Sequence, residues 1–87
     1  MNIKIVSGNR NDDGSINLYF SRGIKNRKTI YKLILYVGWL KGVSLIFHKR
    51  KGCIGIKFDS WKIIERFYLD QPEKIERIKV MLDGEKN

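Results

Sequence analysis

Eighty-seven residues, of which 43% are hydrophobic and 31% charged, suit one small domain with a single core, and no apolar run approaches the roughly 20 residues needed to cross a bilayer. A single cysteine, Cys53, excludes an intrachain disulfide. The start "MNIKIVSGN" lacks the basic-then-apolar pattern of a signal peptide, so the cytoplasm is the expected compartment, with no membrane partner.

In chain order, "NIKIV" (residues 2 to 6) alternates apolar and polar and predicts a half-buried strand. "SGNRNDDGS" has loop composition, with Asp13-Gly14 as a hairpin turn. "INLYFSR" (16 to 22) alternates again, placing Ile16, Leu18 and Phe20 against Asn17, Tyr19 and Ser21 and completing a hairpin. From Thr29 to Lys41 the apolar residues Ile30, Leu33, Ile34, Val37 and Trp39 or Leu40 fall at helical spacing. Thr29 serves as N-cap and Gly42 as C-cap in that reading. A strand competes for this segment, because Ile, Tyr and Val suit a sheet and Gly38 costs a helix about 1 kcal/mol relative to Ala. Its thirteen residues are long for a strand and favour the helix.

"VSLIF" and "CIGIKF" then flank "HKRKG" as a second hairpin. Alternation sends Val43, Leu45, Phe47, Ile54, Ile56 and Phe58 to the core and Ser44, Ile46, His48, Gly55 and Lys57 to the other face. Cys53 reads as a packed thiol. Asp59 or Ser60 caps a helix from Trp61 with Trp61, Ile64, Phe67 and Tyr68 as its apolar stripe, and both tryptophans are expected in the core. Pro72 ends that helix and opens another, "PEKIERIKVMLDG", in which Glu73 and Arg77 are spaced for an i, i+4 pair. The expectation is an α+β domain over residues 1 to 87, order ββαββαα. Its two hairpins join in a four-stranded antiparallel sheet with the helices on one face.

Charge is distributed unevenly. Residues 14 to 58 hold ten Lys or Arg and no Asp or Glu, whereas 59 to 87 hold six bases and seven acids. A solvated surface normally mixes both signs, so a one-signed field over half a small domain points to a polyanion, most often nucleic acid. Two cationic loops rim the sheet: Arg22, Lys25, Arg27 and Lys28 in one, His48, Lys49, Arg50 and Lys51 in the other. With Lys4, Asn17, Tyr19 and Lys57 on the uncovered face, these are the candidate nucleic-acid-binding residues. Guarding strand edges is the simpler use of turn lysines, but it accounts for one or two rather than for "HKRK" plus "RGIKNRK". Tyr19, Tyr31 and Tyr36 are candidates for base stacking should single strands be bound.

Other chemistries lack their parts. The one histidine, His48, has no Cys or carboxylate at ligand spacing, which leaves no zinc site and no Ser-His-Asp or Cys-His set; P-loop and dinucleotide fingerprints are missing too. No cofactor, metal or catalytic group is expected.

From Ile16 onward, "INLYFSRGIKNRKTIYKLILYVGWLKGVSLIFHKRKGCIGIKFDSWKIIERFYLDQP" resembles the body of a LAGLIDADG homing endonuclease half: strand, helix ending near a glycine, basic hairpin, then the "DSWKIIERF" helix. The resemblance covers about two thirds of the chain and implies a sheet that sits as a saddle on duplex DNA. The signature helix has no counterpart here, and Asn11 stands where the family's metal-binding Asp would be. An amide does not replace a carboxylate as a strong Mg²⁺ ligand, so cleavage is not implied, and Asp12 and Asp13 read as turn residues. "KGCIGIKFDSWKIIERF" also looks like the strand-then-helix close of coactivator-type single-strand DNA binders, over about a quarter of the chain. The expected function is a non-catalytic nucleic-acid-binding module, DNA ahead of RNA, for which a two-fold homodimer is a reasonable assembly because 87 residues span little of a duplex. The alternative is a small viral or mobile-element inhibitor or adaptor whose basic face meets an acidic protein surface.

Overall fold

A computed structural model describes residues 3 to 84. The elements run β1 (Ile5–Arg10), β2 (Ile16–Ile24), α1 (Arg27–Val37), β3 (Val43–His48), β4 (Gly52–Phe58), α2 (Trp61–Phe67) and α3 (Pro72–Gly84). The four strands form one antiparallel sheet in the order β1-β2-β4-β3, so the expected ββαββαα order and α+β class hold. All three helices cover the same face: α3 lies against β1, α2 against β4 and α1 against β3.

Between sheet and helices lies one core cluster, in which Ile16, Leu18, Phe20, Cys53, Ile56 and Phe58 from the strands meet Leu33, Val37, Ile64, Phe67, Tyr68, Ile78 and Leu82. Phe67 anchors the helical layer, with edge-on contacts to Phe58 (5.5 Å), Tyr68 (4.8 Å) and Tyr36 (5.2 Å). Full burial of each such side chain contributes about 1.5–3 kcal/mol.

Several boundaries differ from the sequence expectation. Asn2, placed in the first predicted strand, lies outside the described residues. That strand runs on through Ser7, Gly8, Asn9 and Arg10, which pair with Tyr19, Leu18, Asn17 and Ile16 although their composition reads as loop. Gly8 belongs there because β1 passes close under α3: a Cβ would lie 2.8 Å from Leu18 Cδ2 and 3.2 Å from Leu82 Cδ2. The turn is correspondingly short and starts at Asn11, whose carbonyl accepts from the Gly14 amide at 3.0 Å while its own amide donates to the Ser15 carbonyl at 2.8 Å.

Helix α1 begins two residues before the expected cap. The cap is Asn26, whose Oδ1 accepts from the Thr29 amide at 3.1 Å, and the helix closes at Gly38, whose amide donates to the Ile34 carbonyl at 2.9 Å. Gly42 instead turns the chain into β3 with φ +94°. Trp39 is therefore past the helix and 62% exposed rather than in the core, although its ring stacks on Phe67 at 5.7 Å; Trp61 is half-buried. Helix α2 stops at Phe67, well short of Pro72, and its Ser60 cap makes no side-chain hydrogen bond. Glu73 and Arg77 form no ion pair, and among the described residues the only one joins Arg10 to Asp83 at 3.3 Å.

The largest correction is in the second hairpin. Ile46 pairs with Gly55 but Phe47 pairs with Cys53, so Ile54 is an extra residue in β4. A bulge of this kind shifts the alternation by one. Cys53, not Ile54, takes the core position, and Phe47, on the helix side by register, is left 58% exposed beyond the cover of the helices.

Candidate nucleic-acid interface

Antiparallel pairing decides which charges meet. Strand β2 finishes beside the start of β4, with Ile24 opposite Cys53, so the loop after β2 and the turn between β3 and β4 occupy the same end of the sheet. The two loops touch. A Cβ on Gly23 would lie 2.9 Å from Lys51 Cβ and closer still to the Lys51 carbonyl, and one on Gly52 would press on the Ile24 carbonyl and sit 3.2 Å from Lys25 Cα. Only glycine allows so close a backbone approach, and Gly52 also has φ +81°, a conformation costly to other residues. The start of β1 joins the same end, where the Lys4 carbonyl accepts from the Ser21 amide at 3.1 Å.

The fold thus brings together Lys4, Arg22, Lys25, Arg27, Lys28, Lys49, Arg50 and Lys51, each exposed. None of them has a carboxylate partner among the described residues. A groove of about 400 Å³ opens at this end, lined by Ile3, Phe20 and Ile24 and rimmed by Lys4, Arg22 and Thr29. Side chains that carry a full charge yet find no internal partner keep their entire field for an outside anion.

His48 belongs to the same end with a different task. Its Nδ1 accepts from the Arg50 amide at 3.1 Å and the Lys51 amide at 3.3 Å, folding the turn over the imidazole. With Nδ1 an acceptor, the neutral ring carries its proton on Nε2, which is left to donate outward. The sequence alone offers His48 as one of the nucleic-acid-binding candidates; its capping of the turn has no pattern to betray it.

Asn17, Tyr19 and Lys57 lie on the bare face but not in this cluster. Cross-strand register sets Asn9, Asn17, Lys57 and Ser44 in one row and Ser7, Tyr19, Gly55 and Ile46 in the next. Lys57 is three ladder positions from Cys53, the bulged Ile54 adding none, which puts it about 10 Å from the cationic end. It stands near Asp13, whose carboxyl is held below its usual range by the Ser15 hydroxyl and amide and, to a lesser degree, by the Lys57 charge. Asn17 Nδ2 donates to the Tyr19 hydroxyl at 3.2 Å, while Asn17 Oδ1 is buried without a donor among the described residues. Asn9 and Asn11, unmarked by composition, extend this polar surface: Asn9 Nδ2 donates to Asn11 Oδ1 at 3.0 Å and Asn11 Nδ2 to Ser15 Oγ at 2.9 Å. A period-two reading of "SGNRN" would have found them. Both polar ends of the Asn11 amide are thereby used within the turn, and Asp13 serves the same turn through bonds from Ser15 at 2.6 and 2.9 Å.

The exposed rings are elsewhere. Tyr31 and Trp39, like Phe47, belong to the helix-bearing side, Tyr36 packs edge-on against Phe67, and Tyr19 is half-buried. Beside the half-buried Tyr19 and Ile46, the bare face therefore offers amides, hydroxyls and Lys57 rather than a row of open rings.

No group of three or more His, Cys, Asp or Glu able to hold a metal occurs among the described residues, nor does a helix long and apolar enough to cross a membrane. No family model matches the chain, and no curated protein or solved structure matches it.

Proposed function

We propose that the protein binds nucleic acid, DNA ahead of RNA, through its cationic sheet end and the adjoining bare face, and that it does so without catalysis. The observation that carries this reading is the gathering at one end of the sheet of eight exposed Lys and Arg that have no carboxylate partner among the described residues. Arg forks suit bidentate phosphate contact, Lys adds point charge, and the amides and hydroxyls of the face suit sugar or base edges. The scarcity of open rings on that face favours duplex over single strands, since single-strand binding leans on base stacking. The resemblance to a LAGLIDADG half, whose sheet straddles duplex DNA, inclines the same way.

Fluorescence anisotropy against labelled single- and double-stranded DNA and RNA tests it, at two salt concentrations about fourfold apart. If six cations meet phosphates, affinity falls by about 10³ between 50 and 200 mM salt through counterion release. Duplex DNA is the expected best probe. Weak, salt-insensitive binding to every probe would overturn the reading and leave an acidic protein surface as the anion to be sought.

A further inference from the structure

Helix α1 buries Leu33 and Val37 in the core and packs Ile30 against it, yet its outward side is apolar as well. Tyr31 (63% exposed), Ile34 (48%), Leu35 (63%) and, just past the helix, Trp39 (62%) form a strip at i, i+3, i+4 and i+8. The outward side of a surface helix is ordinarily polar, and a contiguous apolar patch of this kind marks an interface. We infer that this strip is a homodimer seam, in which α1 packs antiparallel against the α1 of a second copy about a two-fold axis between Ile34 and Leu35. The strip lies outside the cationic end and shares with it only Arg27 and Lys28 at the start of α1.

Three features favour a second copy over an unrelated partner. The first is area: the four side chains expose on the order of 400 Å², and the stems of Lys28 and Lys32 beside them bring each copy toward the roughly 800 Å² that a standard interface takes from each partner. The second is self-complementary shape. Antiparallel register sets Ile34 against the partner's Leu35 and Tyr31 against the partner's Gly38, a ring opposite a residue with no side chain, and the symmetry repeats both contacts. The third is charge. Arg27 and Lys28 mark the start of α1, whereas the Asp59 carboxylate lies beside Gly42 just beyond its end, about 3.4 Å from where a Cβ would stand, with no ion-pair partner among the described residues. Antiparallel packing carries the cationic turn of each helix toward the partner's Asp59 and toward the negative end of the partner's helix dipole. Lys41, the like charge at that end, has a stem long enough to turn its ammonium to solvent.

Sedimentation equilibrium of the whole chain over a roughly hundredfold concentration range reads the association directly. A monomer–dimer equilibrium is expected, and Leu35→Glu, at a position that contributes little to the core, raises the dissociation constant at least about thirtyfold. Circular dichroism of that variant keeps the wild-type signal. Val80→Glu, on the exposed side of α3, leaves the equilibrium unchanged. A wild-type chain that is monomeric throughout the range overturns the inference, whether or not the strip then captures an acidic amphipathic segment. So does a dimer that Leu35→Glu does not weaken.

Discussion

Replacing Gly52 with alanine tests the central geometric claim, that the two cationic loops are held backbone to backbone. The methyl group meets two penalties. With φ +81°, Gly52 occupies the left-handed region, which costs an L-residue about 1–2 kcal/mol. Its Cβ also presses on the Ile24 carbonyl and sits 3.2 Å from Lys25 Cα, an overpacking of backbone that costs about 1–3 kcal/mol more. Gly52→Ala is thus expected to destabilise the domain by about 3 kcal/mol, a fall in Tm of about 12–24 °C for a chain of this size. Two companions separate the contributions. Gly14 has φ +88° with nothing within 4 Å of its Cβ position, so Gly14→Ala registers the backbone penalty alone, about 1 kcal/mol. Gly23 has no positive φ but faces Lys51, so Gly23→Ala registers the contact alone. Urea unfolding followed by tryptophan fluorescence measures all three. Were Gly52→Ala to lose no more than Gly14→Ala, with Gly23→Ala silent, the loops would not be in contact and the clustering of their charges would lose its basis.

Two further outcomes follow from titratable groups. The Asp13 carboxyl is depressed below its ordinary value of 3.8 chiefly by the Ser15 hydroxyl, so its stabilising effect on the turn is complete above the usual carboxylate range and is lost as pH falls through the lowered value. A carbon-detected NMR titration should find its midpoint below 3.8 and rising in Ser15→Ala; a wild-type midpoint at or above 3.8 contradicts the turn geometry. Burial pushes the Cys53 thiol up and closes it off from solvent, so a disulfide reagent at pH 8 should modify it only at the rate of unfolding. Prompt stoichiometric labelling of the native protein would place Cys53 outside the core.

The fold was legible where hydrophobic period and turn chemistry agreed. Strand β2, the α2 stripe and Pro72 at the start of α3 announce themselves through spacing alone. The errors come from places where tertiary contact overrides local signal. Ser7 to Arg10 look like loop because glycine and asparagine are poor strand residues, yet Gly8 is wanted there for its lack of a side chain beneath Leu82. The extra residue at Ile54 is invisible to alternation, which assumes an unbroken ladder, and it moves Cys53 inward. Asn26 supplanted Thr29 as the cap because both are competent and only the path of the chain out of β2 chooses between them. Of the candidate interface, composition supplied the residue types; the meeting of residues 22–28 with 48–51 depends on β2 lying between β1 and β4, a neighbour relation that no stretch of sequence states.

That neighbour relation also bears on why the cations are there. The cationic end is assembled without their help: glycines make the close crossing, His48 Nδ1 folds the turn, and Asn26 caps the helix that leaves it. Like charges held within a Debye length of about 8 Å repel and destabilise whatever holds them. Polar but uncharged side chains would satisfy solubility and edge protection at this end and spare the domain that repulsion. An arrangement that works against the stability of its own fold, placed beside a bare sheet face with amides and hydroxyls in register, is what the proposed anionic ligand would explain, since its binding would remove the repulsion. The same bound anion should then stabilise the folded state, so the salt dependence of affinity and the stability gained on binding are two readings of one charge cluster.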